Sequence, residues 1–146
     1  SRIIHLCAPE RILYLFDTFE GFPPEDLEHE DNIFKDMFKD TNVEIVQETI
    51  GDLNNVVIKR GYFPETVEGL ENEIFAFVML DLDLYKPTLA GMKYFYPRIS
   101  SGGYIFVHDY HNGSRVNVAI NDFMSDKPEE LIEIPDVWGT IVIRKM

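Results

Sequence analysis

Positive charge is scarce in this sequence: 13 Lys and Arg stand against 26 Asp and Glu, a formal net charge of −13 over 146 residues. A surface this acidic repels nucleic-acid phosphate and anionic lipid head groups, which argues against either as a partner. A cation, or a neutral or basic small molecule, is electrostatically easier to accept. Cysteine is nearly absent as well. Cys7 on its own cannot close an internal disulfide or build a cysteine-based zinc cluster, a usage that fits a reducing, cytoplasmic setting. Long apolar runs are also missing: "IFAFVML" and "YIFVH" are strand-length and fall far short of the ~20 residues of a membrane helix. Neither repeats nor low-complexity stretches occur.

What is present is the material of one core. Hydrophobic residues make up 45% and aromatics 13% of the chain, enough for a single globular domain over residues 1–146. "SRIIHLCA" has helical spacing and is stopped by Pro9; "RILYLFDTF" reads as a strand with Asp17 at its carboxyl end. Residues 25–40, "EDLEHEDNIFKDMFKD", hold seven carboxylates and read as an acidic loop with a short helix, a segment of the kind that can serve as a lid. "TNVEIVQETIGDL" opens with Thr41 and Glu44 as a capping box and closes at Gly51. "VVIKRGYF" is a strand, "PETVEGLENE" a short helix with Pro64 in its first turn, and "IFAFVMLDLD" a continuous apolar strand of the kind covered on both faces. A helix over "KPTLAGMKYFYPRI", a strand "GGYIFVHDY" introduced by a Gly-Gly turn, a helix over "RVNVAINDFMSD" and two closing strands, "ELIEIP" and "WGTIVIRKM", complete the pass. Strands alternating with helices predict an α/β fold whose mostly parallel sheet has helices on both faces and a C-terminal antiparallel strand pair.

In such sheets ligands bind outside the carboxyl ends of the strands, and acidic groups collect at three of them: Asp17, then Asp81 with Asp83, then Asp109 beside His108. Asp81 and Asp83 lie two positions apart, so on a strand both side chains would project from one face with Leu82 opposite. Two like charges so placed raise each other's proton affinity unless a cation or shared proton intervenes. Asp81, Asp83, His108 and Asp109 together form a plausible shell for Mg²⁺, Ca²⁺ or Mn²⁺, the histidine favouring Mn²⁺ or softer ions. Such an ion would polarise a bound hydroxyl so that a neighbouring carboxylate could take its proton. Asp17 is placed to accept hydrogen bonds from ribose hydroxyls, Gly61 permits close backbone approach, and Tyr62 and Phe63 offer aromatic faces to an adenine. A helix-capping aspartate would account for Asp83 alone and leave Asp81 and Asp109 unexplained.

The motifs "LYLFDTFEGFP", "GYFPET", "LDLDLYKPT" and "SSGGYIFVHDY", in this order between about Arg11 and Phe123, resemble the macrocin O-methyltransferase family of metal-dependent sugar O-methyltransferases. The resemblance implies a Rossmann-like class I methyltransferase fold, S-adenosylmethionine as methyl donor and Mg²⁺ (or Mn²⁺) as cofactor. It further implies that Asp17 holds the ribose, Asp81 and Asp109 bind metal, and Asp83 is the general base; Tyr85 and Thr88 belong to the same motif without an assigned role. Two departures stand out. Where the family reads Asp-Asp-Tyr, this chain reads His108-Asp109-Tyr110, so an imidazole replaces one carboxylate ligand. The family's first strand and glycine-rich turn have no counterpart here, which predicts an N-terminally incomplete domain with a gap in the sheet between the Asp17 strand and the Asp81 strand. Unpaired backbone at such a gap makes self-association into a homodimer an expectation. Beside methyl transfer to a hydroxyl of a small-molecule acceptor, two other readings fit: a metal-dependent glycosyltransferase with "DLD" as its Asp-x-Asp motif, and a non-catalytic domain that keeps the fold.

Overall fold

The computed structural model describes the backbone of residues 1–146 and every side chain except those of His29, Glu30 and Asn32. The elements run α1 (Arg2–Cys7), β1 (Leu13–Asp17), α2 (Val43–Ile50), β2 (Val56–Arg60), β3 (Phe75–Leu80), α3 (Tyr85–Phe95), β4 (Ile99–Val107), α4 (Val116–Met124), β5 (Ile132–Ile134) and β6 (Thr140–Arg144). Short 3-10 turns cover His29–Phe34, Glu65–Val67 and Tyr96–Arg98. Among the described residues no helix is long and apolar enough to cross a membrane.

Local chemistry sets several of these boundaries. The cap of α2 is Asn42, whose side-chain oxygen accepts from the Ile45 amide at 2.8 Å, so the expected capping box at Thr41 lies one residue early. Asparagine does this well because its short amide reaches the third helical N–H without straining the backbone. Gly51, at φ 83°, ends the helix as expected. In α3, Gly91 sits so close to β3 that an added Cβ would lie 3.0 Å from Leu80 Cδ2, and glycine thereby lets helix and strand approach. The Gly-Gly pair is not a turn before β4. That strand already begins at Ile99, and its register with β3 shifts between Phe75 and Phe77. Gly103 allows this irregularity, since a Cβ there would meet the Ala76 carbonyl at 2.8 Å.

Two ladders result. β1 and β2 pair parallel, and a separate four-stranded sheet has the order β3-β4-β6-β5, with β3 and β4 parallel and β6 antiparallel to both β4 and β5. No ladder joins β1 to β3, which is where the gap was expected. Aromatic rings hold the two parts together instead. Phe16 on β1 packs edge-on to Phe63 and Phe95, with centroids 6.1 and 6.0 Å apart, and Tyr14 packs edge-on to Phe75 on β3 at 6.2 Å.

The core lies on one face of the larger sheet, where Val78, Leu80, Ile105, Val107, Ile141 and Ile143 meet Met92 and Phe95 of α3 and Val116 and Ile120 of α4. Each such side chain contributes roughly 1.5–3 kcal/mol by leaving water. On the other face of β3, Phe77 and Met79 remain exposed, so the continuous apolar run of this strand is buried on alternate residues only.

Candidate metal and cofactor site

β3 and β4 stop in register, Leu80 opposite Val107, and the His108 amide extends the ladder by donating to the Leu80 carbonyl at 2.9 Å. Asp81 and His108-Asp109 therefore leave the sheet side by side. One ligand atom from each of Asp81, His108 and Asp109 falls within 4.8 Å of the others. His108 Nδ1 lies 3.2 Å from Asp81 Oδ1 and 3.0 Å from Asp109 Oδ2. Asp109 is buried, His108 is half-buried, and Asp81 is exposed at the mouth.

The strand-parity argument for Asp83 does not apply, because β3 ends at Leu80. A tight turn follows, the Leu84 amide donating to the Leu82 carbonyl at 2.6 Å, and Asp83 itself adopts φ 58°. Asp109 is also left-handed, at φ 62°. Aspartate tolerates this region better than most residues, yet such a conformation still costs about 1 kcal/mol or more and persists where surrounding structure enforces it. Two left-handed acids thus lie close beyond adjacent strand ends.

The electrostatics agree. Burial first, then the charges of Asp109 and Asp81, push the Asp83 carboxyl up to about 7. Burial lowers the proton affinity of His108, but Asp109 and Asp81 outweigh it and raise the imidazole above its ordinary value. Its buried Nδ1 nevertheless has no partner at hydrogen-bonding geometry, although two carboxylate oxygens lie within 3.2 Å. A lone pair held among carboxylate oxygens is the donor set of a divalent cation, and the residues present fit one.

At the other end of the site, Asp17 stands exposed at the tip of β1, its Oδ1 accepting from the Phe19 amide at 2.7 Å. The Gly61 amide donates to the Asp17 carbonyl at 3.0 Å, which aligns the ends of β1 and β2, and Gly61 takes φ 136°. Tyr62 turns its hydroxyl to buried Asp26 at 2.9 Å. Burial, then this acidic neighbour, push the phenol up to about 12. Phe63 is in the core, stacked on Phe95 at 5.6 Å with an interplanar angle of 15°, so it has no open face for an adenine.

Sequence reasoning missed the residues that tie down the acidic segment. Glu28 pairs with Arg115 at the start of α4, and Lys86 of α3 donates to the Glu25 carbonyl. The Arg115 guanidinium also lies 4.9 Å from the centre of the Tyr85 ring, whose hydroxyl donates to Asp122 at 3.1 Å. This gives Tyr85 a role, the link between α3 and α4. Glu28 and Arg115 are 87 residues apart, and no local pattern announces such a pair. The only hint is the acid-rich composition of residues 25–40, which needs a cation somewhere.

Comparison with known proteins extends the picture. Residues 2–144 match the sequence profile of a family described as macrocin-O-methyltransferase (TylF). The mycinamicin III 3''-O-methyltransferase of Micromonospora griseorubida is 30% identical over 115 residues, 69% of this chain and 44% of that protein. The demethyldecarbamoylnovobiocin O-methyltransferase of Streptomyces niveus is 32% identical over 76 residues, 51% of this chain and 29% of that protein. The chain thus spans less than half the length of these relatives. The solved structure of the O-methyltransferase NovP superposes with a TM-score of 0.82 at 23% identity, covering 99% of this chain and 65% of that one.

Proposed function

The chain belongs to the macrocin O-methyltransferase family, and from that premise we propose that it transfers a methyl group from S-adenosylmethionine to a hydroxyl of a sugar or similar natural-product acceptor. The observation that carries the proposal is the cluster of Asp81, His108 and Asp109 next to an Asp83 whose carboxyl lies at about 7. Burial and the neighbouring carboxylates make Asp83 a stronger base than an ordinary aspartate, and a cation in the cluster would offset the carboxylates' share of that rise.

In this reading the acceptor's hydroxyl oxygen attacks the methyl carbon of S-adenosylmethionine and the methyl C–S bond breaks, while Asp83 takes the hydroxyl proton onto its carboxylate and S-adenosylhomocysteine leaves. Asp81, Asp109 and His108 would hold Mg²⁺ or Mn²⁺. A cation bound there lowers the pKa of the acceptor hydroxyl and relieves the repulsion among the carboxylates. Asp17 orients the donor through its ribose hydroxyls, Gly61 lets the backbone come close, and Tyr62, with Phe63 behind it, closes the nucleoside end. Holding donor and acceptor in line supplies much of the rate by itself. The acidic segment 25–40, fastened through Asp26 and Glu28, acts as the roof between the two ends.

The relatives' printed activities, on a mycinamicin and on a novobiocin precursor, support a glycosylated acceptor, and the family match favours methyl transfer over the glycosyltransferase reading. The imidazole of His108 in place of a carboxylate favours one alternative, a domain that keeps the fold without turnover. Methyl transfer from labelled S-adenosylmethionine to a panel of sugar hydroxyls, with and without Mg²⁺, is the test. Transfer that needs Mg²⁺ and is lost in Asp81→Ala upholds the proposal; undiminished activity in Asp81→Ala sinks the metal role. No binding of S-adenosylhomocysteine in calorimetry selects the non-catalytic reading.

A further inference from the structure

We propose that Nδ1 of His108 is itself a metal ligand, and that the cluster therefore selects a first-row transition ion such as Mn²⁺ over Mg²⁺ and Ca²⁺. The inference deepens the metal role given to these residues above and rests on it. What carries it is the place of one ring nitrogen.

Nδ1 stands between the two acids, 3.2 Å from Asp81 Oδ1 and 3.0 Å from Asp109 Oδ2. A hydrogen bond and a shared ion make different demands on such contacts. The first needs an oxygen near the N–H axis. Neither carboxylate meets it, and the buried Nδ1 has no hydrogen-bond partner. Around an ion with bonds of about 2.0–2.3 Å, ligand atoms at right angles lie about 2.8–3.3 Å apart. Both observed distances have that spacing. An ion reached by both carboxylates thus lies against this nitrogen as well.

The nitrogen is also held where it is. The His108 amide donates to the Leu80 carbonyl at 2.9 Å, which fixes its backbone to the end of β3, and its side chain is only 28% exposed. The charge of Asp136 acts on the same ring, and an acidic neighbour makes a ligating imidazole a better donor.

The donor set then decides the ion. Mg²⁺ and Ca²⁺ are hard cations that take oxygen, and Mg²⁺ also demands a nearly ideal octahedral shell. A nitrogen fixed among the oxygens occupies a position that neither uses well. Transition ions gain from the imidazole, Co²⁺ and Zn²⁺ more than Mn²⁺, while the two carboxylates keep the site hard enough for Mn²⁺.

The test reads binding and needs no turnover. MnCl₂ and MgCl₂ are titrated into the whole chain after chelation and followed by calorimetry, and the Mn²⁺-loaded protein is examined by electron spin echo envelope modulation. Mn²⁺ binds the parent chain more tightly than Mg²⁺, and His108→Asp shrinks that preference about tenfold. The parent shows modulation from an imidazole ¹⁴N, and His108→Asp does not. His108→Asn, which adds no charge, loses the same signal and serves where the first variant does not fold. A preference unchanged in the variants, or Mn²⁺ bound to the parent without ¹⁴N modulation, overturns the inference. Absence of saturable Mn²⁺ binding to the parent overturns it as well, and methyl transfer that proceeds in chelator then stands without an ion. Selective Mn²⁺ binding with ¹⁴N modulation, and no methyl transfer to any sugar, upholds the ligand and overturns the methyl-transfer reading.

Discussion

Replacing Asp83 by Asn should make this protein more stable. The carboxyl is raised from 3.8 to about 7 by burial and by the charges of Asp109 and Asp81. That is about three pKa units, and at ~1.4 kcal/mol per unit the folded state pays about 4 kcal/mol at most to keep the group ionised. Because three carboxylates share the repulsion and can relax together, about 2–4 kcal/mol is the expected range. The sign follows from the raised folded-state value. The protonated acid brings no penalty below pH 3.8, and stability is lost as pH rises through 7. Asparagine is close in shape to the protonated acid and tolerates the left-handed φ of 58°. In chelator, Asp83→Asn should match the parent protein near pH 4 and exceed it at pH 8, by roughly 10 °C in thermal midpoint. Mg²⁺ should narrow the difference by neutralising the same repulsion. Melting at pH 8 at or below the parent, or a difference that does not change with pH, would refute the argument.

The metal reading makes a separate prediction without any turnover assay: Mg²⁺ at one hundred times its Kd should add about 2.7 kcal/mol to urea stability in the parent chain, and nothing in Asp81→Ala. At the C-terminus, buried Glu129 accepts from the Tyr96 hydroxyl and from Lys145 Nζ, the latter at 2.7 Å. Burial pushes its carboxyl up, but these donors prevail and hold it at about 2, against an ordinary 4.5. A lowered value stabilises above pH 4.5 and is lost as pH falls toward 2, so Glu129→Gln should cost about 3 kcal/mol in urea midpoint at pH 7 and far less near pH 3.

The placement of the acidic candidates was legible because alternation of strands and helices shows where strands stop: Asp17 ends β1, and Asp81 and His108-Asp109 directly follow β3 and β4. Their mutual arrangement was less so. Asp83 comes near Asp109 through a left-handed turn and not through strand parity, and φ is not written in residue spacing. Periodicity located α2, but its start moved to Asn42 because two good capping residues stand next to each other and only backbone geometry chooses between them. Phe63 was read as a ligand-facing ring when burial had the stronger claim on it. Arg115 was invisible for a different reason: it acts through a contact with Glu28, far away in sequence, and a single chain without its fold carries no signal of that kind.

The break between β1 and β3 also separates the candidate residues. Asp17 and Gly61 belong to a two-stranded ladder, a unit only marginally stable by itself, while Asp81, Asp83, His108 and Asp109 belong to the four-stranded sheet with most of the apolar core behind it. Aromatic contacts couple the two, Phe16 edge-on and Phe63 stacked against Phe95, and Tyr14 edge-on to Phe75. Ring contacts of this type permit sliding and tilting that a hydrogen-bonded ladder forbids. Under the proposed methyl transfer, Asp17 and the acidic cluster would thus be carried by two parts that meet through aromatic rings and share no ladder.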